Sequence, residues 1–403
     1  MKGKNILLCI TGGIASYKMP NLASRLVKEG YNVHVIMSEN ACQFITPKTF
    51  EALTKNPCIT DTFEKVYPLA IHHIQLAEQS DYVMVSPATA NIIGKMAHGI
   101  ADNMITSTLL ACRCPIAVVP SMNSNMYENP IVQNNIEILK NYGYTIIEPS
   151  YGYMACGSVG KGKMPEPSEL YEHIEKELAF EKDMKNLKVL ITAGATQEAI
   201  DPVRYITNHS SGKMGYALAK NAMLRGAEVT LITGHTALSD LKFIRTIKVT
   251  SAEEMYNAVV QEFPHTDILV KSAAVADYTP LSVADNKMKK SDTELSILLK
   301  RTKDILQSVG NLKQSHQIIC GFSMETENMV ENSIKKLTHK NLDMVVANNL
   351  KTTGAGFSGD TNVITILTKE NITELPIMTK LQCAEKIFDT ILNIRNHYER
   401  SEP

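Results

Sequence analysis

Asn186-Leu-Lys-Val-Leu-Ile-Thr-Ala-Gly194 restates, near the middle of the chain, the pattern of Lys4-Asn-Ile-Leu-Leu-Cys-Ile-Thr-Gly12. Both are short apolar runs closed by glycine, the pattern of a buried strand. The echo continues downstream. Leu224-Arg-Gly-Ala-Glu-Val-Thr-Leu-Ile-Thr233 matches Val27-Lys-Glu-Gly-Tyr-Asn-Val-His-Val-Ile36, a helix end, a turn and a second strand. Two βαβ openings in one chain read as two nucleotide-type sheets in tandem, not as a solenoid repeat. The expected fold is α/β: two tandem Rossmann-like doubly wound parallel-sheet domains. A length of 403 residues suits two domains. The charged stretch 168–185 reads as a connecting helix, which divides the chain into 1–183 and 184–403.

In the first half, residues 4–11, Val33–Met37, Tyr82–Ser86, Pro115–Pro120 and Tyr144–Ile147 read as strands, with helical stretches between them. Gly12-Gly13, Ser38, Ser86–Asn91 and Pro120–Met126 then fall at carboxyl ends of strands, where open α/β sheets bind ligands. Gly12-Gly13-Ile14-Ala15 does not match the GxGxxG dinucleotide fingerprint. It suits a mononucleotide or flavin phosphate, or else a tight turn that simply needs glycine. Residues 148–167 are rich in glycine and proline, so they read as a disordered stretch or a functional lid. Cys156, between small residues in such a lid, is exposable, and a catalytic role stands open for it.

In the second half, Asp201-Pro-Val-Arg-Tyr-Ile-Thr-Asn-His-Ser-Ser-Gly-Lys-Met-Gly215 lies between a strand and the helix 216–226. A Walker loop fails here: Thr207 stands where its first glycine belongs, and Met214 follows Lys213. The stretch is either a phosphate-handling loop of another kind or a plain αβ loop. Further strands are expected at 267–271, 297–299, 317–322, 343–347 and 363–367, and helices at 252–262, 325–340 and 380–398. Lys287, Lys289 and Lys290 sit on a polar stretch; Lys336 and Lys340 share one face of a helix. Thr353–Gly359 reads as a loop.

The formal net charge is -1, with 21% charged and 44% hydrophobic residues. This gives no general attraction to nucleic acid or anionic membranes, so any polyanion site must be local. No apolar run approaches the ~20 residues of a membrane span. The N-terminal run is too short for a signal peptide, so the expected location is cytoplasmic. The eight cysteines are scattered, as reduced thiols are. Cys112-Arg-Cys114 has no matching second pair, which argues against zinc.

Along nearly its whole length the chain resembles the bacterial bifunctional coenzyme A biosynthesis proteins, a phosphopantothenoylcysteine decarboxylase fused to a phosphopantothenate–cysteine ligase. In the first half the resemblance rests on Gly12–Lys18, His73-Ile-Gln-Leu76, Ser86–Asn91, Pro120–Met126 and Ala155-Cys-Gly157. In the second it rests on Asp201–Gly215, Ala273-Ala-Val-Ala-Asp-Tyr278 and Lys287-Met-Lys-Lys290. It implies that the second half joins 4'-phosphopantothenate to L-cysteine with CTP and Mg²⁺, through an acyl-cytidylate. By family position Lys287 is catalytic. Asn208 holds the activated carboxyl group, with Arg204 beside it. Asp277, Phe322, Lys336 and Lys340 bind nucleotide, along with Ala273 and the segment Lys303, Asp304, Ile305 and Leu306. The product would then lose CO₂ in the first half, where its thiol is oxidised to a thioaldehyde at FMN. The implied catalytic residues are His73 as base or orienter, Asn123 at the substrate carboxylate and Cys156 as proton donor. Gly12, Gly13, Ala15, Ser38, Ala88, Thr89, Thr106 and Ser107 would bind the cofactor. Family members assemble as homo-oligomers, flavin-domain trimers joined by ligase-domain dimers. Two segments depart from the family pattern: Ser158 stands where an acidic residue is common, and Lys300-Arg-Thr-Lys-Asp-Ile305 where Lys-Asn-Pro-Asp-Ile is usual. A flavin-binding regulatory protein and a two-domain nicotinamide reductase are the competing readings. His73, Asn123 and Cys156 speak against the first, and the missing GxGxxG against the second.

Overall fold

The computed structural model describes residues 3–63, 72–155, 157–289, 295–325, 328–349 and 359–401. Cys156, Lys290 and most of the loop expected at Thr353–Gly359 lie outside them. The chain divides into two compact units, Met1–Phe180 and Glu181–Pro403.

The first unit is built on a six-stranded parallel sheet of β1 (Asn5–Ile10), β2 (Asn32–Met37), β3 (Cys58–Ile59), β4 (Tyr82–Ala88), β5 (Ile116–Pro120) and β6 (Thr145–Ile146). The spatial order is β3-β2-β1-β4-β5-β6, so the strand order reverses beside β1. Ile6–Ile10 and Tyr82–Ala88 are buried along their whole length, as strands covered by helices on both faces must be. The described residues of the stretch 148–167 are folded, not disordered. Most of it is an antiparallel hairpin of β7 (Ser150–Tyr153) and β8 (Val159–Lys163). Ser86–Asn91 is likewise tighter than a loop: β4 runs to Ala88, and Thr89 caps the helix Ala90–Ala97 by accepting from Ile92 N.

The second unit carries an eight-stranded sheet. Its strands in chain order are β9 (Lys188–Ala193), β12 (Glu228–Thr233), β13 (Arg245–Lys248), β14 (Ile268–Lys271), β17 (Ile318–Glu325), β18 (Met344–Asn349), β20 (Ile364–Thr368) and β21 (Ile372–Glu374). The order is β13-β12-β9-β14-β17-β18-β20-β21. The sheet is parallel from β13 to β18, but β20 and β21 run antiparallel, so the expected parallel sheet gains an antiparallel edge. The polar stretch between β9 and the helix Lys213–Leu224 folds as a hairpin of β10 (Gln197–Ala199) and β11 (Tyr205–Thr207). Two further pairs are β15 (Tyr278–Pro280) with β16 (Leu299–Arg301), and β19 (Thr361–Asn362) with β22 (Met378–Thr379). The strand expected at 297–299 therefore lies two residues later and outside the main sheet. Gly215 lets the helix Lys213–Leu224 sit on β9, since a Cβ there would meet the Cβ of Ala193 at 2.4 Å. No helix among the described residues is long and apolar enough to cross a membrane.

Candidate functional site

A cleft of about 630 Å³ opens at the carboxyl ends of the first unit's strands. Thr11, just past β1, fixes its floor: its hydroxyl donates to Pro87 O at 2.6 Å and accepts from Thr89 N at 3.2 Å. Gly12 and Gly13 follow. A Cβ on Gly12 would lie 2.4 Å from the Cβ of Asn40, so this close crossing tolerates only glycine. The hairpin is fastened over the opposite wall. Met122 N donates to Gly162 O at 3.1 Å. Gly162 has a φ of 147°, and a Cβ there would strike the carbonyl oxygen of Met122. The side chain of Asn123 accepts from Asn125 N at 2.9 Å, which sets the turn into the helix Ser124–Tyr127.

Gly12, Gly13, Ala15, Thr89 and Asn123 all line this cleft. The structure leaves Ser38, Ala88, His73, Thr106 and Ser107 off its walls. Ser38 caps the helix Glu39–Cys42 that faces Gly12. Ala88 is fully buried. Thr106 is spent in a reciprocal capping box with Asn103. His73 is half-buried on the helix His72–Gln79, which packs against Met104–Ala111, the helix that holds Thr106 and Ser107. Tyr153, Met154 and Ala155 also line the cleft, so the hairpin brings its tip to the opening next to position 156, itself outside the described residues.

The second unit has two adjoining cavities of about 430 and 460 Å³, again at carboxyl strand ends. Lys271, Val275, Asp277 and Lys336 belong to the walls of both. The first adds Lys303, Asp304, Ile305, Leu306 and Lys340. The second adds Asn208, Ser210–Met214, Ala273, Phe322 and Lys380. The segment between the two is stitched in place: Ala273 N donates to the Thr192 hydroxyl at 3.2 Å and Ala276 N to that of Thr196 at 3.0 Å. Lys336 Nζ donates to Phe322 O at 2.7 Å, and Asn208 Nδ2 to Ala274 O at 3.1 Å. Asp304 caps the helix Ile305–Leu312 through Gln307 N and pairs with Lys340 at 2.6 Å. Burial works against its charge, but Lys340 and the capping N–H hold its carboxyl below the ordinary range.

Arg204 and Lys287 do not line either cavity. Arg204 forks onto the buried carboxylate of Asp201 at 2.9 and 2.5 Å and also donates to Met288 O at 3.0 Å. Asp201 accepts from Met288 N as well. That knot ties the β10–β11 turn to the segment carrying Lys287, which is itself exposed. The Arg204 guanidinium, with the N–H groups of Val203, Met288 and Arg204, holds the Asp201 carboxyl well below the usual carboxylate range although burial opposes it.

Three comparisons with known proteins bear on this geometry. The family model described as Flavoprotein matches residues 1–179, and that of the DNA/pantothenate metabolism flavoprotein C-terminal domain matches residues 184–394. The coenzyme A biosynthesis bifunctional protein CoaBC of Bacillus subtilis (strain 168) is 49% identical over 395 residues, 97% of each chain. The chain belongs to this bifunctional coenzyme A biosynthesis family. A cysteine/cysteine sulfinic acid decarboxylase of an unknown prokaryotic organism is also similar, 44% identical over 87% of this chain and 99% of its own. Among solved structures, the C-terminal domain of a CoaBC protein is 40% identical, covers 53% of this chain and 98% of its own, and superposes with a TM-score of 0.46.

For this family member, sequence reading missed several wall residues. Lys271 had a signal, since a charge ending the apolar run Ile268–Val270 marks a carboxyl strand end. Asn348 had the same signal, since it follows the expected strand 343–347; Asn362 and Lys380 had none, because they reach the second cavity from a short outlying strand and a helix start. Among the described residues, no group of three or more His, Cys, Asp or Glu side chains could hold a metal ion.

Proposed function

We propose that the second unit joins 4'-phosphopantothenate to L-cysteine at the expense of CTP, and that the first unit decarboxylates the product to 4'-phosphopantetheine with FMN. Coenzyme A biosynthesis by ligation followed by decarboxylation is the family's activity. What carries the assignment to particular residues is the pair of cavities meeting at Lys271, Asp277 and Lys336. A carboxylate attacking a triphosphate must bring two anions together, and lysines at the junction lower that cost. The cavity holding Lys303–Leu306 and Lys340 suits CTP, and the one holding Asn208 suits the phosphopantothenate carboxyl group. The carboxylate oxygen attacks the α-phosphorus, pyrophosphate leaves, and an acyl-cytidylate remains. The cysteine amine then attacks the acyl carbon, CMP departs and two protons are released. Asn208 orients the acyl group, and Lys287 approaches from the segment anchored by Arg204 and Asp201. Mg²⁺ fits as an ion carried in by the triphosphate, in keeping with few dedicated protein ligands.

The open cleft and the glycine pair at a strand end fit FMN, which Gly12, Gly13, Ala15 and Thr89 would hold. When bound, it supplies the two-electron oxidation of the substrate thiol and the return of those electrons. Asn123 orients the substrate carboxylate, His73 takes the thiol proton and Cys156 returns a proton to the enethiolate after CO₂ leaves. Because His73 lies off this cleft within one protomer, the reading includes the family's homo-oligomer, with flavin-unit trimers and ligase-unit dimers. It also places the protein in the cytoplasm, acting on small molecules and not on nucleic acid.

The similarity to a cysteine/cysteine sulfinic acid decarboxylase favours a second reading, in which the first unit acts on free cysteine or its sulfinate. One assay separates the two. Purified protein should be yellow and should release CO₂ from cysteine only when phosphopantothenate and CTP are both present, with ATP a poor replacement. CO₂ from cysteine or cysteine sulfinate alone would sink the first reading. In the same assay Cys156→Ser should stop at an unreduced enethiol; full yield of 4'-phosphopantetheine would remove Cys156 as the proton donor.

A further inference from the structure

Lys271 ends β14, the strand at the middle of the second sheet, and it lines both cavities. Its neighbours in the sheet, Thr192 of β9 and Gly321 of β17, carry no charge. Its Nζ donates to Ala273 O at 3.0 Å. The charges that face it come from other elements. Lys336 and Lys340 stand at the end of the helix Met329–His339, Asp277 in the loop after β14, and Asp304 at the start of Ile305–Leu312. Arg301 and Lys303 add charge to the first cavity, and Lys213 and Lys380 to the second. Asp304 pairs with Lys340, Lys213 with Asp360 and Lys303 with Glu253, but at the Lys271 amine Lys336 and Lys340 weigh more than Asp277 and Asp304. Burial first, then Lys336 and Lys340, pull Lys271 down to about 8.

We propose that Lys271 is a phosphate-binding lysine of the ligase site that takes up a proton as the nucleotide binds. The proposal rests on the reading of these cavities as a CTP-dependent ligase site. Its amine stands where the two cavities join, so an anion bridging them comes within its reach. Phosphate oxygens there offset the charge of Lys336 and Lys340 and favour the ammonium form of Lys271. The proton comes from solvent, and no covalent bond of the protein changes. Without nucleotide the site thus avoids a third ammonium in a buried position beside Lys336 and Lys340, and the full charge appears only when the substrate arrives.

The sign of the pH dependence follows. Binding raises the amine's pKa above its free value of about 8. Its contribution to nucleotide affinity is full below that value and is lost as pH rises through the bound value. At pH 8 the terminal phosphate of CTP, with a second pKa of about 6, is already ionised and takes no part.

The test is calorimetry of CTP with Mg²⁺ binding to the full chain at pH 8, in two phosphate-free buffers of different ionisation enthalpy. Wild type should take up about half a proton per CTP, because an amine of pKa about 8 is half protonated there. Lys271→Met should show no uptake and bind about tenfold more weakly, as loss of a charged hydrogen bond predicts. Lys271→Arg, which keeps its charge at every accessible pH, should restore affinity without uptake. Unchanged uptake or unchanged affinity in Lys271→Met overturns the proposal. If wild-type protein does not bind CTP at all, the ligase reading of the cavities falls first.

Discussion

Lys336→Met should lower kcat/KM for CTP-dependent ligation by about 10²–10³, the usual loss when one donor to a developing anion is removed. Release of CO₂ from supplied 4'-phosphopantothenoylcysteine should stay at the wild-type rate. Lys336 belongs to the walls of both cavities, and its ammonium is held on Phe322 O at 2.7 Å, which fixes its direction. Methionine keeps most of the apolar stem and removes the charge together with the hydrogen bond to Phe322 O, so the helix should stay packed. Lys340 is the control. It lies one turn further on but pairs with Asp304 at 2.6 Å, so part of its charge is already spent. Lys340→Met should therefore cost less than Lys336→Met, although it frees a carboxylate beside the nucleotide. Steady-state kinetics with CTP varied, on both variants, decides the matter. An equal loss in both, or a parallel fall in decarboxylation, would point to damage of the fold instead of loss of an anion contact.

The buried strands were legible because each is a continuous apolar run: Ile6–Ile10 and Val189–Ala193 announce themselves by composition. Cys58–Ile59 and Arg245–Lys248 did not. The first is two residues long, and the second is a half-exposed edge strand whose polar residues carry no burial signal. The antiparallel direction of Ile364–Thr368 was equally hidden, since a strand's own residues do not encode its direction. Hairpins within 148–167 and 197–207 read as loops because their glycines and polar residues answer to a neighbouring surface. Gly162 exists for the carbonyl of Met122, and Thr207 donates its hydroxyl to Thr196 O at 2.8 Å. In the site, Lys336 and Lys340 were legible as an i,i+4 pair on one helix. The knot of Arg204 with Asp201 was not. Arg204 resembled a ligand-binding cation, yet in the described structure its guanidinium is committed to a buried carboxylate and the carbonyl of Met288.

Gly12→Ala should yield protein without the yellow colour of bound flavin and with decarboxylation reduced about 100-fold or more, because a misplaced binding element can cost that much. Ligation should be retained, since Gly12 belongs to the other compact unit. The reason is local and steric. The Cβ that alanine adds would lie 2.4 Å from the Cβ of Asn40 and 3.1 Å from its carbonyl carbon. No rotamer of either residue relieves a clash between two Cβ atoms, so backbone must move. β1 is buried from Ile6 to Ile10 and cannot retreat. The helix Glu39–Cys42 must give way instead, and Ser38, whose hydroxyl caps that helix, goes with it. Valine should do little more harm than alanine, because the first added carbon already makes the collision. Gly13 supplies the contrast within the same turn. A Cβ there meets Pro87 Cγ at 3.4 Å, an ordinary contact, so Gly13→Ala should fold and melt like wild type. Visible absorbance of the purified variants, set beside their ligase rates, reads the outcome. A Gly12→Ala protein that stays yellow and decarboxylates normally would mean that the cofactor does not depend on this crossing. Loss of colour in Gly13→Ala with its melting unchanged would instead locate the close approach of the ligand at Gly13 itself.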